Sequence, residues 1–98
     1  FKFEHLFALD TKMTGVLLRE VESDVLILAL RGLEPERRDH FFAAMSQRAA
    51  DGLRDEIESR GRVKRTDIEV AQRQIIGVAK RLIAAGAIRM GAGDDDYA

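Results

Sequence analysis

Between Thr66 and Gly86 the apolar residues Ile68, Ala71, Ile75, Val78, Ala79 and Leu82 recur with the spacing of a helix that buries one face. About 20 residues at the α-helical rise make a rod of roughly 30 Å. The chain has 98 residues, enough for one core and too few for two ordinary domains. A rod of that length must therefore be covered by most of the remaining sequence. Thr66 and Glu69 stand where a capping box would start it, with the threonine accepting from the third amide and the glutamate reaching back.

The covering segments are also helical in pattern. Phe3, Leu6 and Phe7 have the spacing of a short amphipathic turn. Asp10 is placed to cap a second helix carrying Met13, Val16, Leu17 and Val21 on one face, which Gly15 weakens without breaking. Ser23 is the expected N-cap of Asp24 to Leu30, and Gly32 the expected left-handed stop after Arg31. The run Val25 to Leu30 is apolar on every side, which fits a buried helix or a buried strand; with no partner strand visible, it is read as helix. Pro35 suits the first turn of a fourth helix with Phe41, Phe42 and Met45 facing inward. Ser46 then caps or joins a fifth that ends near Arg60 and Gly61, with Ala49, Leu53 and Ile57 inward and Arg48, Asp51, Asp55 and Glu58 on the other side.

Composition agrees with an all-α chain. One Pro, no Trp and three threonines leave little material for a sheet. The expected fold is a compact bundle of about six helices forming a single domain over 1–98. Val25 to Leu30 and Leu82 to Ile88 are far shorter than the roughly 20 apolar residues of a membrane span. The first ten residues lack the charged leader and apolar block of a secretory signal. Absence of Cys excludes disulfides and thiol chemistry.

The search for catalytic or metal chemistry ends in its own inventory. His5 and His40 lie on different predicted helices and share no metal-ligand spacing. Gly91 and Gly93 form a Gly-Xaa-Gly with no strand before it. Asp94, Asp95 and Asp96 are consecutive and lack the spacing of a calcium loop. The expectation is no enzyme, no cofactor and no metal, with 87–98 a loosely held Gly- and Asp-rich tail.

Charge is what remains. Sixteen Lys and Arg against seventeen Asp and Glu give a net charge of −1, so no global field draws nucleic acid or anionic lipid. Locally, Arg48, Asp51, Asp55 and Glu58 line one helix face, and Arg60, Arg62, Lys64 and Arg65 crowd the loop that follows. Taken alone this reads first as a solvated face with weak pairs, and second as a docking face for a partner of complementary charge. Phosphate binding by the loop is a third reading, opposed by the acidic residues just upstream and the lack of stacking aromatics.

The order of several blocks carries more information than any one of them. Phe1-Lys2-Phe3-Glu4, Leu18-Arg19-Glu20-Val21, Ala29-Leu30-Arg31-Gly32, Met45-Ser46-Gln47-Arg48-Ala49-Ala50, Arg60-Gly61-Arg62-Val63-Lys64 and Ala79-Lys80-Arg81-Leu82 occur in sequence and at the expected spacing. Together they resemble the C-terminal domain family of the flagellar motor switch protein FliG, over essentially the whole chain. The resemblance implies a six-helix distal subdomain that follows an armadillo-like segment, so the chain is expected to be an excised C-terminal fragment. It also implies that Phe1 and Phe3 are what is present here of a Met-Phe-Xaa-Phe hinge.

By the same resemblance, torque comes from charges meeting the cytoplasmic loop of the stator protein MotA. The matching positions are Arg31, Arg48, Asp55, Glu56 and Lys64, with signs retained and Arg62 in place of the family's usual Pro. The implied partners of the full-length protein are FliM, FliN, FliF and neighbouring FliG subunits, with no nucleic acid. The implied location is the cytoplasmic face of the inner membrane, in the flagellar basal body. Glu56 falls nearer the apolar edge of its helix than Asp55 does, and is expected to make a local salt bridge.

Overall fold

The computed structural model describes residues 2–89. They form a 3₁₀ helix, Phe3–Ala8, followed by five α-helices: α1 Thr11–Arg19, α2 Ser23–Arg31, α3 Pro35–Phe42, α4 Gln47–Ser59 and α5 Arg65–Ala84. No strand occurs among the described residues. The expectations for Phe1, for Gly91 and Gly93 and for Asp94 to Asp96 lie outside them.

Two of the expected caps form as the sequence suggests. The Asp10 carboxylate accepts from the Met13 amide at 2.7 Å, and the Ser46 hydroxyl from the Ala49 amide at 3.1 Å. Each satisfies one of the orphan N–H groups of a first turn. Pro35 occupies the first turn of α3, where its missing N–H costs nothing.

Two other caps do not form. Ser23 lies inside α2, whose N-cap is Glu22. The capping box at Thr66 and Glu69 is likewise absent, because α5 begins at Arg65 with Lys64 as N-cap. The Lys64 carbonyl accepts from the Asp67 and Ile68 amides at 3.0 and 3.2 Å, so the helix is already wound when it reaches Thr66. This register puts Asp67 in the first turn, at the positive end of the helix.

The core is built around α2 and α5, which make the most extensive helix pair. Leu26, Ile27, Ala29 and Leu30 are buried and Val25 and Leu28 partly so, which is why this run is apolar all round: other elements surround α2. From α5, Ala71, Ile75 and Ala79 are buried at four-residue steps, the two alanines allowing a close helix approach. Leu6, Leu9, Leu17, Phe41, Phe42, Ala50 and Ile57 complete the packing.

Three corrections follow from the packing. The inward line of α4 is Ala50, Leu53 and Ile57, while Ala49 is exposed. Ala50 takes the place expected of Ala49, one step of about 100° round the helix. Gly32 has φ −82° and makes no left-handed stop. It is required by proximity, since a Cβ there would stand 2.5 Å from the Ile68 γ2 methyl on α5. Positive φ occurs instead at Gly61 and Gly86, closing the segments that α4 and α5 begin. Finally, the expected loose tail does not start at residue 87: Ile88 is buried in the core, and the Ala87 and Ile88 amides both donate to the Leu82 carbonyl.

The 3₁₀ helix is anchored by an aromatic cluster. The Phe3 ring lies 6.3 Å from Phe7 and 6.0 Å from Phe41, so this residue of the expected hinge packs onto α3. His40 Nε2 lies 3.1 Å from the Leu6 carbonyl oxygen and 3.3 Å from the hydroxyl of Thr14, a fully buried polar residue of α1. Three elements thus meet at one imidazole.

Candidate functional site

Because α4 places Ala50, Leu53 and Ile57 inward, its opposite side must face solvent, and that side carries the charges. Arg48 and Asp55 are seven residues apart, two turns along the helix, which sets them about 20° apart around it and about 10 Å apart along it. Both are exposed and neither makes an ion pair among the described residues. They form one stripe.

Glu56, one residue on, turns about 100° toward α2. It borders a shallow groove of about 590 Å³ whose apolar lining includes Leu26, Ile27, Met45 and Leu53. The local salt bridge expected of it does not form, since Glu56 has no ionic partner among the described residues. Its side chain is exposed at the edge of the groove.

Glu58, Arg62 and Arg65 are likewise exposed and without an ion pair among the described residues, while other charges in the region are paired within the chain. Asp51 pairs with Arg54 at 3.1 Å, and Arg54 also reaches Asp39 of α3 at 3.6 Å while its guanidinium lies 4.6 Å from the Phe42 ring centroid. Arg60 pairs with Asp24 at 3.3 Å, joining the end of α4 to the start of α2. Asp51 and Arg60 therefore drop out of the free charged face, and Arg54 enters as a tie between helices that the sequence reading missed. Only an Asp51 to Arg54 step of three residues hinted at it.

Lys64 is exposed at the N-cap of α5. Arg31 differs from the other four expected charges. It is only partly exposed, its Nη2 donates to the Gly61 carbonyl at 2.8 Å, and its buried Nε has no hydrogen-bond partner among the described residues. The structure thus brings Arg31 against the loop that carries Lys64, and sets Arg48, Asp55 and Glu56 together on α4.

This arrangement can offer charges of both signs to a surface. Among the described residues, no group of three or more His, Cys, Asp or Glu side chains is placed to hold a metal, and no helix is long and apolar enough to cross a membrane.

The family model for the FliG C-terminal domain matches residues 1–90. The chain belongs to the FliG C-terminal domain family. It is 43% identical over 91 residues to the flagellar motor switch protein FliG of Pseudomonas aeruginosa, and 38% identical over 97 residues to that of Vibrio cholerae. These alignments cover 93% and 99% of the chain but 27% and 28% of the relatives. The chain thus spans little more than a quarter of their length. Among solved structures, a crystallised FliG segment from H. pylori superposes with a TM-score of 0.88 at 35% identity, covering 93% of this chain and 40% of that one. Full-length FliG from Aquifex aeolicus superposes at 0.83 with 32% identity, covering 88% and 27%. The six-helix, all-α expectation is therefore met by the family as well as by the chain. FliG proteins are motor switch components and not enzymes.

Proposed function

We propose that this chain is the torque-bearing C-terminal part of a rotor protein in the bacterial flagellar motor. Its charged face meets oppositely charged residues in the cytoplasmic loop of the stator protein MotA. The carrying observation is that Arg48, Asp55, Glu56 and Lys64 stand exposed without an ion pair among the described residues, while Asp51, Arg54 and Arg60 beside them are paired. An unpaired, mixed-sign face is what a partner carrying both signs would recognise. Exposed pairs of this kind contribute up to about 1 kcal/mol each and weaken with salt. Such contacts can form and release repeatedly, as a moving interface requires.

In this reading the parent protein works at the cytoplasmic face of the inner membrane, within the flagellar basal body. It sits there with FliM, FliN, FliF and neighbouring FliG subunits. Phe1 and Phe3 belong to a hinge about which this unit reorients when rotation reverses, and the seating of Phe3 against Phe7 and Phe41 would define one resting position of that hinge.

The test is motility of cells whose full-length parent protein carries Asp55→Lys and Glu56→Lys together, after circular dichroism shows that the variant chain folds. Filaments that are built but do not turn support torque at this face. Normal rotation refutes it, and absent filaments transfer the role to rotor assembly.

A further inference from the structure

The C-terminal end of α2 is a junction of side-chain hydrogen bonds. The Ala29 carbonyl accepts from Gln72 Nε2 of α5 at 3.0 Å, and the Leu30 carbonyl from Arg38 Nε of α3 at 2.8 Å. Arg38 Nη2 also reaches the Arg31 carbonyl, at 3.5 Å. The Ala29 and Leu30 carbonyls also accept from the Gly32 and Leu33 amides, at 3.3 and 2.9 Å, so the side chains add second bonds to them and tie α3 and α5 to one point. Arg31 extends the junction outward by donating to the Gly61 carbonyl at 2.8 Å. Gly61 is the left-handed residue at φ +71° that starts the link from α4 to α5. The backbone amides of residues 61–64 donate no hydrogen bond within the described residues. The link is therefore held at its start by a side chain, and at its end by the Lys64 carbonyl, which accepts from the Asp67 and Ile68 amides.

We propose that Arg31 is a positioning residue. It clasps the Gly61 carbonyl, and so sets where Arg62 and Lys64 stand relative to Arg48, Asp55 and Glu56 on α4. This rests on the reading of those charges as a docking face, and it changes the part Arg31 takes in that face from contact to support. Two observations separate it from the other charges. Its side chain is partly buried, and its donor is already committed to a carbonyl, whereas Arg48, Asp55, Glu56 and Lys64 are exposed and unpaired among the described residues. Guanidinium geometry matters here, because the planar fork lets Nη2 reach the loop while the charge stays near the end of α2, where the helix dipole favours it. The buried Nε has no hydrogen-bond partner among the described residues, so the clasp rests on the single Nη2 bond.

The first measurement is backbone ¹⁵N relaxation on the 98-residue chain, comparing the wild type with Arg31→Met and Arg31→Lys. Residues 61–64 should have order parameters near about 0.85 in the wild type and fall below about 0.6 in Arg31→Met, with the rest of α5 unchanged. Arg31→Lys should fall between, since it keeps the charge and loses the fork. Equal order parameters in all three chains overturn the clasp. Should Arg31→Met fail to fold, Arg31→Gln, which keeps a neutral donor, takes its place in the comparison.

The second measurement is swimming speed with the same substitutions in the full-length parent protein, adding Arg31→Met with Arg62→Pro. Proline stiffens the link but also removes the Arg62 charge, so Arg62→Pro alone is the reference against which the double variant is read. Recovery by Arg62→Pro supports positioning. Recovery by Arg31→Lys alone, with none from proline, means that the charge itself meets the partner and overturns the proposal. If charge reversals at Asp55 and Glu56 leave rotation normal while the order parameters still fall, the docking reading fails and the clasp stands.

Discussion

Gly32→Ala places a methyl group where α2 and α5 already touch. The new Cβ would lie 2.5 Å from the Ile68 γ2 methyl and 3.1 Å from Gln72 Nε2. Carbon atoms pack at about 3.5–4.0 Å, so something must yield by about 1 Å. Ile68 is β-branched and held to essentially one χ1 rotamer in a helix, so its γ2 methyl cannot swing aside. Moving α5 instead would strain Ala71 and Ile75, which are buried in the core. Overpacking of this kind costs about 1–3 kcal/mol. Displacing Gln72 would add about 1 kcal/mol by breaking its bond to the Ala29 carbonyl. Against this, Gly32 has φ −82°, a conformation open to alanine, which returns about 0.5–1 kcal/mol of backbone entropy.

The expected net loss is about 2 kcal/mol, equivalent to roughly 10 °C in Tm for a domain of this size. Urea denaturation followed by far-UV circular dichroism measures it. A double-mutant cycle with Ile68→Ala identifies the cause. If the methyl clash is responsible, the Gly32→Ala penalty should shrink by about 1 kcal/mol or more once the isoleucine is gone. A change below about 0.5 kcal/mol for Gly32→Ala alone, or an equal penalty in both backgrounds, would refute the reasoning.

Three further outcomes are expected from the same denaturation assay. Gly77→Ala should stabilise the chain by about 0.5–1 kcal/mol, since Gly77 lies inside α5 and a Cβ there meets nothing within 4 Å. Asp10→Ala should cost about 1 kcal/mol through loss of the Met13 amide bond, with Asp10→Asn recovering most of it. Thr66→Ala should be neutral or stabilising by a few tenths of a kcal/mol, because alanine is the better helix former and Thr66 caps nothing; a loss near 1 kcal/mol would show that the capping box forms in solution.

Much of the bundle was legible because helix signals are local. Asp10, Ser46 and Pro35 mark first turns through bonds or ring geometry that involve only their own neighbours, and α5 has the 20 residues its periodicity called for. Ser23 and Thr66 carried the same signal and did not become caps, since their helices are capped one and two residues earlier, at Glu22 and Lys64. No local signal marks the seating of Ile68 on Gly32 or of Gln72 on the Ala29 carbonyl, because each joins α5 to a distant helix. Thr14 went unnoticed because a buried hydroxyl needs a partner from elsewhere, and His40 lies 26 positions away.

The charged face divides in the same manner. Its residues and signs follow from sequence, as does the placing of Arg48 and Asp55 on one stripe, because helical periodicity alone fixes relative angle. Which charges remain available was decided by the tertiary structure. Asp51 and Arg60 were consumed by Arg54 and Asp24, and Arg31 was turned onto the Gly61 carbonyl. Pattern and element type are set over a turn or two of chain, so the sequence by itself determined them. Pairing depends on which helices meet, and the α2 with α5 packing that governs it is a property of the folded chain as a whole.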